Sequence, residues 1–236
     1  NIGPNIFLKR LGSELTKLNC QVTSKYNPFY DIGLFAIKNK SIYNKPFVLR
    51  IGGIFFDKEN TAFNTDKEKA SRWASKIRLL GLDVDGILTD GRLFFSEHGE
   101  ELKAFHTLDG HGIKMLQENN IEVAIITGRR SAILEKRAAD LNISLLCQGR
   151  EDKLVALNEI ISNKPYQINE VAYAGDDLPD KSALLAAALS FSAPNAHPEI
   201  KAGVDVITNL RGGWGAVREM SDFILKSQNK HTPPTN

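Results

Sequence analysis

Asp83 and Asp85 stand two residues apart in the run DVDG, directly behind the apolar stretch Ile77 to Leu82. Alternation with period two puts both carboxylates on one side of the chain as it leaves a strand. Two acids so close repel each other and lose hydration unless a cation compensates them, and magnesium, a hard ion that takes oxygen ligands, suits the pair. Such a pair can run metal-assisted phosphoryl transfer. One aspartate attacks phosphorus and becomes an aspartyl phosphate, while the second protonates the leaving oxygen and later takes a proton from water. In that scheme Asp83 is the nucleophile and Asp85 the acid and base.

By itself a D-x-D-G string is explained as well by a helix cap or a turn. Further groups stand where the same pocket needs them. Thr127, Gly128 and Arg129 follow the apolar run Val123 to Ile126, and a hydroxyl with a backbone N–H there can hold the oxygens of a transferring group. Lys153 lies near the start of the helical stretch Asp152 to Ser162, where its ammonium can neutralise charge on the phosphoryl group and on Asp83. Gly175 to Asp180, reading GDDLPD, follows Val171 to Ala174 and can complete a metal's ligand set. Each group has an ordinary structural reading, but their order, always at a strand end or the adjoining helix start, is better explained by one shared site.

The elements that must carry these groups are legible from periodicity. Short apolar runs at Ile77 to Leu82, Val123 to Ile126, Ile143 to Leu146, Val171 to Ala174, Leu189 to Phe191 and Val206 to Ile207 alternate with segments of helical period. Ile133, Leu134, Arg137 and Leu141 share one such helix, Leu154, Leu157, Ile160 and Ile161 another, and Leu184, Leu185 and Ala188 a third. Strands alternating with helices predict an α/β fold, a doubly wound, Rossmann-like parallel sheet that binds ligands beyond its carboxyl ends. One stretch departs from the alternation. Arg92 to Ser96 and Glu101 to Phe105, around a turn of His98, Gly99 and Glu100, predict an inserted β-hairpin. A last helix is expected from Trp214 to about Ser227, with residues 229–236 a loose tail.

Residues 1–66 differ in texture, with a helical pattern at Ile6 to Leu18 and candidate strands at Cys20 to Thr23, Ile32 to Ala36 and Phe47 to Ile51. They are expected to form an incomplete α/β extension, joined by a linker at 67–76 to a domain spanning 77–228. Thirty basic against twenty-eight acidic residues argue for neither a nucleic-acid footprint nor a membrane surface. No apolar run reaches the roughly 20 residues that span a bilayer. Cys20 and Cys147 match no disulfide framework or metal spacing, which makes buried thiols in a reducing cytoplasm the simplest expectation. His98, His106, His111 and His197 likewise lack metal-ligand spacing.

The four groups, in this order, resemble motifs one to four of the haloacid dehalogenase superfamily. Asp83 to Gly91 (DVDGILTDG), the hairpin, Leu108 to Gly112 (LDGHG), Ile125 to Arg129 (IITGR), Gly175 to Asp180 and Gly212 to Glu219 (GGWGAVRE) resemble its 3-deoxy-D-manno-octulosonate 8-phosphate phosphatase branch over about residues 72–228. The resemblance implies hydrolysis of a small sugar acid phosphate, with a nine-carbon sialic-type acid 9-phosphate as the alternative substrate and a non-catalytic tetramerisation domain as the alternative role. It implies Mg²⁺ held by Asp83, the backbone carbonyl of Asp85, and Asp176, with Asp177 and Asp180 in support. Arg129, Arg137 and Lys153 match basic residues that meet the substrate's phosphate and carboxylate. It further implies a homotetramer with no large cap domain, in which hairpins pack together and a neighbour's carboxyl-terminal segment, here Gly212 to Glu219, closes the pocket. The family usually has a basic residue where this chain has Trp214. Residues 4–23, Tyr30 to Ile37 and Lys45 to Asp57 resemble scattered pieces of the amino-terminal half of a sugar-nucleotide glycosyltransferase, without its nucleotide-binding half.

Overall fold

The computed structural model describes residues 21–26, 33–38 and 67–230. The chain divides into two units, Asn1–Asn64 and Thr65–Asn236. In the first, β1 (Gln21–Tyr26) and β2 (Gly33–Lys38) pair antiparallel, with Gln21 opposite Lys38 and Tyr26 opposite Gly33. These take up the strands expected near Cys20 to Thr23 and Ile32 to Ala36. The expected helix at Ile6 to Leu18 and strand at Phe47 to Ile51 lie outside the described residues.

The second unit runs α1 (Lys67–Ala74), β3 (Leu79–Leu82), β4 (Phe94–Ser96), β5 (Gly99–Leu102), α2 (Thr107–Glu118), β6 (Glu122–Thr127), α3 (Ala132–Asp140), β7 (Leu145–Gln148), α4 (Lys153–Ser162), β8 (Val171–Ala174), α5 (Lys181–Ala186), β9 (Leu189–Ser192), α6 (Pro198–Lys201), β10 (Val206–Ile207) and α7 (Ala216–Ser227). Strands β10-β9-β8-β3-β6-β7, in that order, form a parallel six-stranded sheet. Strand alternation sorts the side chains onto two faces. Leu80, Leu82, Val123, Ile125, Ala172 and Ala174 join the core beneath α1, α2, α3 and α7, while Leu79, Ala124, Ile126, Val171 and Tyr173 join the one beneath α4 and α5. Both faces are covered, which is why the strand sequences are almost wholly apolar. From β3 the chain winds outward to β6 and β7, then returns to β8 and winds the other way. The crevice between the carboxyl ends of β3 and β8 is therefore the topological switch point, where ligands bind in such sheets.

Three expectations need correction. Residues 67–76, expected as a linker, hold α1, whose Ala70 and Ala74 are buried in the core and which packs on α7. Ala70 and Ala74 lie at helical i, i+4 spacing inside a charged run, so charge masked an apolar stripe. The hairpin pairs Phe94 with Leu102 and Ser96 with Gly99, so its turn is Glu97–His98, and Gly99 at φ +112° begins the return strand. The tail is still tied at its start, since the Lys230 N–H donates to the Leu225 carbonyl at 2.9 Å; residues 231–236 lie outside the described residues. Cys147 is a free, half-buried thiol. No described helix is long and apolar enough to cross a membrane.

Candidate active site

Strand ends deliver the acids. The Asp83 N–H donates to the Ala174 carbonyl at 2.9 Å, which continues the β3–β8 ladder one step and brings the two carboxyl ends together. Asp83, Asp176 and Asp180 each offer a carboxylate oxygen, and these atoms lie within 4.8 Å of one another. Lys153, in the first turn of α4, reaches across to them. Its ammonium lies 2.8 Å from Asp83 Oδ1 and 2.7 Å from Asp180 Oδ1, with all three side chains buried.

Asp180 is the hub behind this group. Its Oδ1 accepts from Lys153 and from the Tyr173 hydroxyl at 3.1 Å, and its Oδ2 accepts from the backbone N–H groups of Asp176 at 3.1 Å and Asp177 at 3.2 Å. Tyr173 reaches this position because Gly81 on the neighbouring strand is bare; a Cβ there would stand 2.7 Å from the ring. Asp177 faces solvent and caps the turn, accepting from the Leu178 N–H at 2.8 Å. Neither Gly81 nor Tyr173 stood out in the sequence, where each reads as an ordinary strand residue.

Asp85 points elsewhere. Backbone angles of φ −78° and ψ 110° break the helical path of the loop at that residue. Its Oδ1 accepts from the Lys103 ammonium at 2.6 Å, and Arg129 Nε lies 3.4 Å from its Oδ2. Lys103 was not anticipated; it leaves the hairpin toward α2 and its side chain is 2% exposed. Thr127 is buried and its hydroxyl accepts from the Arg129 N–H at 3.3 Å. Gly128 makes room for Glu151, whose carboxylate would stand 2.5 Å from a Cβ built there. Arg137 lies over the Phe105 ring at 5.6 Å and against Gly110, a packing position beside α2, and among the described residues it makes no ion pair with these acids.

The loop after β3 is held by distant segments. A Cβ on Gly86, which has φ +99°, would stand 1.9 Å from Asp176 Oδ2, and one on Gly212 would stand 1.8 Å from the Gly86 carbonyl oxygen. Asn195 joins the two, donating to the Gly86 carbonyl and accepting from the Gly212 N–H, both at 2.9 Å. The Gly213 N–H donates to the Ile87 carbonyl at 2.9 Å, and Asp109 accepts from the N–H groups of Gly215 and Arg218, which caps α7. Gly212 to Glu219 supports its own chain's loop through these bonds. Trp214 is 57% exposed at this turn. His106 and His197 cap α2 and α6 through Nδ1, in keeping with their lack of metal spacing.

Burial and the neighbouring Asp180 push Asp83 up to about 7 even with Lys153 beside it. Burial, then Asp83 and Asp180, push Asp176 up to about 8. Burial works against the Lys153 ammonium, but the two acids outweigh it and hold its pKa above the usual value. Tyr173 is raised well above its ordinary range by burial and by Asp180, so its hydroxyl keeps its proton and donates. With all three acids ionised, one ammonium leaves two negative charges to neutralise. A divalent cation that prefers hard oxygen ligands fits that deficit, and Mg²⁺ is such an ion.

The sheet, its switch-point acids and the inserted hairpin define a haloacid dehalogenase-type hydrolase; a protein of that superfamily from Legionella pneumophila aligns with a TM-score of 0.68 at 40% identity. The 3-deoxy-D-manno-octulosonate 8-phosphate phosphatase of Yersinia pestis is 44% identical over 171 residues, which is 72% of this chain and 91% of that protein. That of Escherichia coli K12 is 45% identical over 157 residues, 66% of this chain and 84% of that protein. The crystal structure of the Moraxella catarrhalis enzyme, in complex with magnesium, phosphate and KDO, aligns with a TM-score of 0.67 at 43% identity and covers 69% of this chain and 93% of its own. The cobalt-bound Haemophilus influenzae enzyme gives 0.66 at 42% identity, covering 67% and 92%. No family model matches. The chain belongs to the 3-deoxy-D-manno-octulosonate 8-phosphate phosphatase family.

Proposed function

We propose that the chain is a magnesium-dependent phosphatase that converts 3-deoxy-D-manno-octulosonate 8-phosphate to the free sugar acid and phosphate through a phosphorylated Asp83. The observation that carries this is the convergence of Asp83, Asp176 and Asp180 within 4.8 Å, beside Lys153, at the switch point of the sheet. Asp83 attacks phosphorus, forming its own O–P bond as the bond to the sugar's oxygen breaks, and Asp85 gives its proton to that oxygen. Water then attacks the phosphorus of phospho-Asp83, giving its proton to Asp85, and phosphate leaves. Lys153 neutralises negative charge on Asp83 and on the phosphoryl oxygens. The Thr127 hydroxyl and the Gly128 N–H hold those oxygens. Mg²⁺, held by Asp83, Asp176 and the carbonyl of Asp85, offsets the charge that builds on the phosphoryl group. Asp177 and Asp180 fix the loop that presents Asp176. Arg129, beside Asp85 at the open side, meets the substrate's carboxylate, with Arg137 further out.

The exposed Phe94, Phe95 and Leu102 of the hairpin suit packing against copies of the same chain, and we assign a homotetramer. Sedimentation as a monomer would remove that assignment. Phosphate release from a panel of eight- and nine-carbon sugar acid phosphates with Mg²⁺ tests the substrate, and equal rates across the panel would defeat it. Asp83→Asn is expected to lower turnover by roughly 10⁴-fold or more with the fold intact. Turnover retained in that variant would rule out the covalent route.

A further inference from the structure

We infer that Lys103 positions the Asp85 carboxylate for proton transfer to the leaving oxygen, an inference that rests on the acid role proposed for Asp85. Two cations face Asp85, and they differ in kind. Arg129 is half exposed and stands 3.4 Å away, so it can turn toward a ligand. Lys103 is 2% exposed and stands 2.6 Å away, so it meets the carboxylate from within the fold and cannot swing out to a ligand. Taking an ammonium out of water costs several kcal/mol unless a partner of good geometry compensates it. A lysine held so is part of the built site and unlike a solvated hairpin residue.

The separation from Asp83 matters as much as the contact. Asp83 and Asp176 share a cluster with Asp180 and Lys153 that could hold a cation, whereas the loop turns Asp85 out of that group. A carboxylate on a short side chain still has freedom about χ1 and χ2, and an acid a fraction of an ångström out of line loses much of its effect. Lys103 removes that freedom from a position 18 residues away. It lies just beyond β5, so the hairpin's exit fixes the ammonium that in turn fixes the acid.

The role predicts a dependence on the leaving group. A sugar alkoxide needs a proton as its bond to phosphorus breaks, while nitrophenolate, a stable anion at neutral pH, leaves without one. Lys103→Met, Lys103→Arg and Asp85→Asn are each compared with the unaltered protein on a sugar acid phosphate and on p-nitrophenyl phosphate at saturating Mg²⁺. Thermal melts and Mg²⁺ affinity are measured on the same samples. Lys103→Met is expected to lose about 10²-fold in kcat on the sugar phosphate, with KM and Mg²⁺ affinity little changed, and under about tenfold on p-nitrophenyl phosphate. Lys103→Arg, which keeps the charge, should recover much of the loss. Equal losses on both substrates, or none, would overturn the inference when Asp85→Asn remains selective for the sugar phosphate. If Asp85→Asn is itself unselective, the acid role falls and the inference goes with it.

Discussion

The two ends of the same sheet treat charge in opposite ways. At the amino ends of β3, β6 and β7, an open groove is lined by Arg78, Lys114, Glu122, Lys164 and Tyr166 among others. Its central acid, Glu122, is paired. Against the cost of burial, hydrogen bonds from Lys164 and Tyr166 hold Glu122 below the usual carboxylate range, and Arg78 lies over the Tyr166 ring at 5.1 Å. At the carboxyl ends, Asp83 and Asp176 are pushed far above that range by burial and by their acidic neighbours. Charges arranged for stability settle one another. Charges arranged for function are left in conflict until a ligand resolves them, and the contrast lets the two be told apart on one scaffold.

The contrast is most exposed at the two lysines. Lys153→Met strips the ammonium from buried Asp83 and Asp180 and is expected to cost about 3–5 kcal/mol in chemical denaturation at neutral pH without metal. A cost near zero would mean that the acids are already protonated or solvated there. Next in size is the pH dependence. In the unfolded chain both aspartates titrate near ~4. Between that value and about 8, where Asp176 titrates in the folded protein, the metal-free fold holds more protons than the unfolded chain, so its stability falls as pH rises and levels off above. Melting temperatures from pH 5 to 9 should show this decline, and Asp176→Asn should flatten it. At one fixed concentration magnesium should stabilise the fold more at pH 8 than at pH 6, reaching about 2.7 kcal/mol where that concentration is a hundredfold above its Kd. A metal effect larger at low pH would contradict the assignment of these acids as ligands. The smallest effect belongs to the other end. Lys164→Met leaves a Glu122 side chain that is 42% exposed, and water screens the loss to under ~1 kcal/mol. A cost as large as that at Lys153 would erase the distinction.

Much of the site was legible because each acid sits in a local run, and parallel strands deliver the residues that follow them to one edge. DVDG and GDDLPD needed only the period-two pattern before them to be placed together. What stayed hidden depends on pairs far apart in sequence. Lys103 follows two glutamates in a hairpin arm and looks like a solvated residue until the fold sets it on Asp85. Tyr173 needs the bare Gly81 on the next strand, and Asn195 gains its meaning only from Gly86 and Gly212. Arg137 combines the two. A basic residue on an amphipathic helix matched a family position, and its guanidinium also lies over Phe105 and against Gly110, contacts that no local pattern announced.

The close stacking of Asp176, Gly86 and Gly212 has a consequence for how the protein is made. A nascent chain that has been synthesised through Asp180 already carries both aspartates of DVDG, Lys153 and the whole GDDLPD run. It still lacks Asn195 and the glycine turn against which the Gly86 peptide rests. Every reactive group is thus present while the ribosome has dozens of codons left to read, and the backbone that shapes them arrives last.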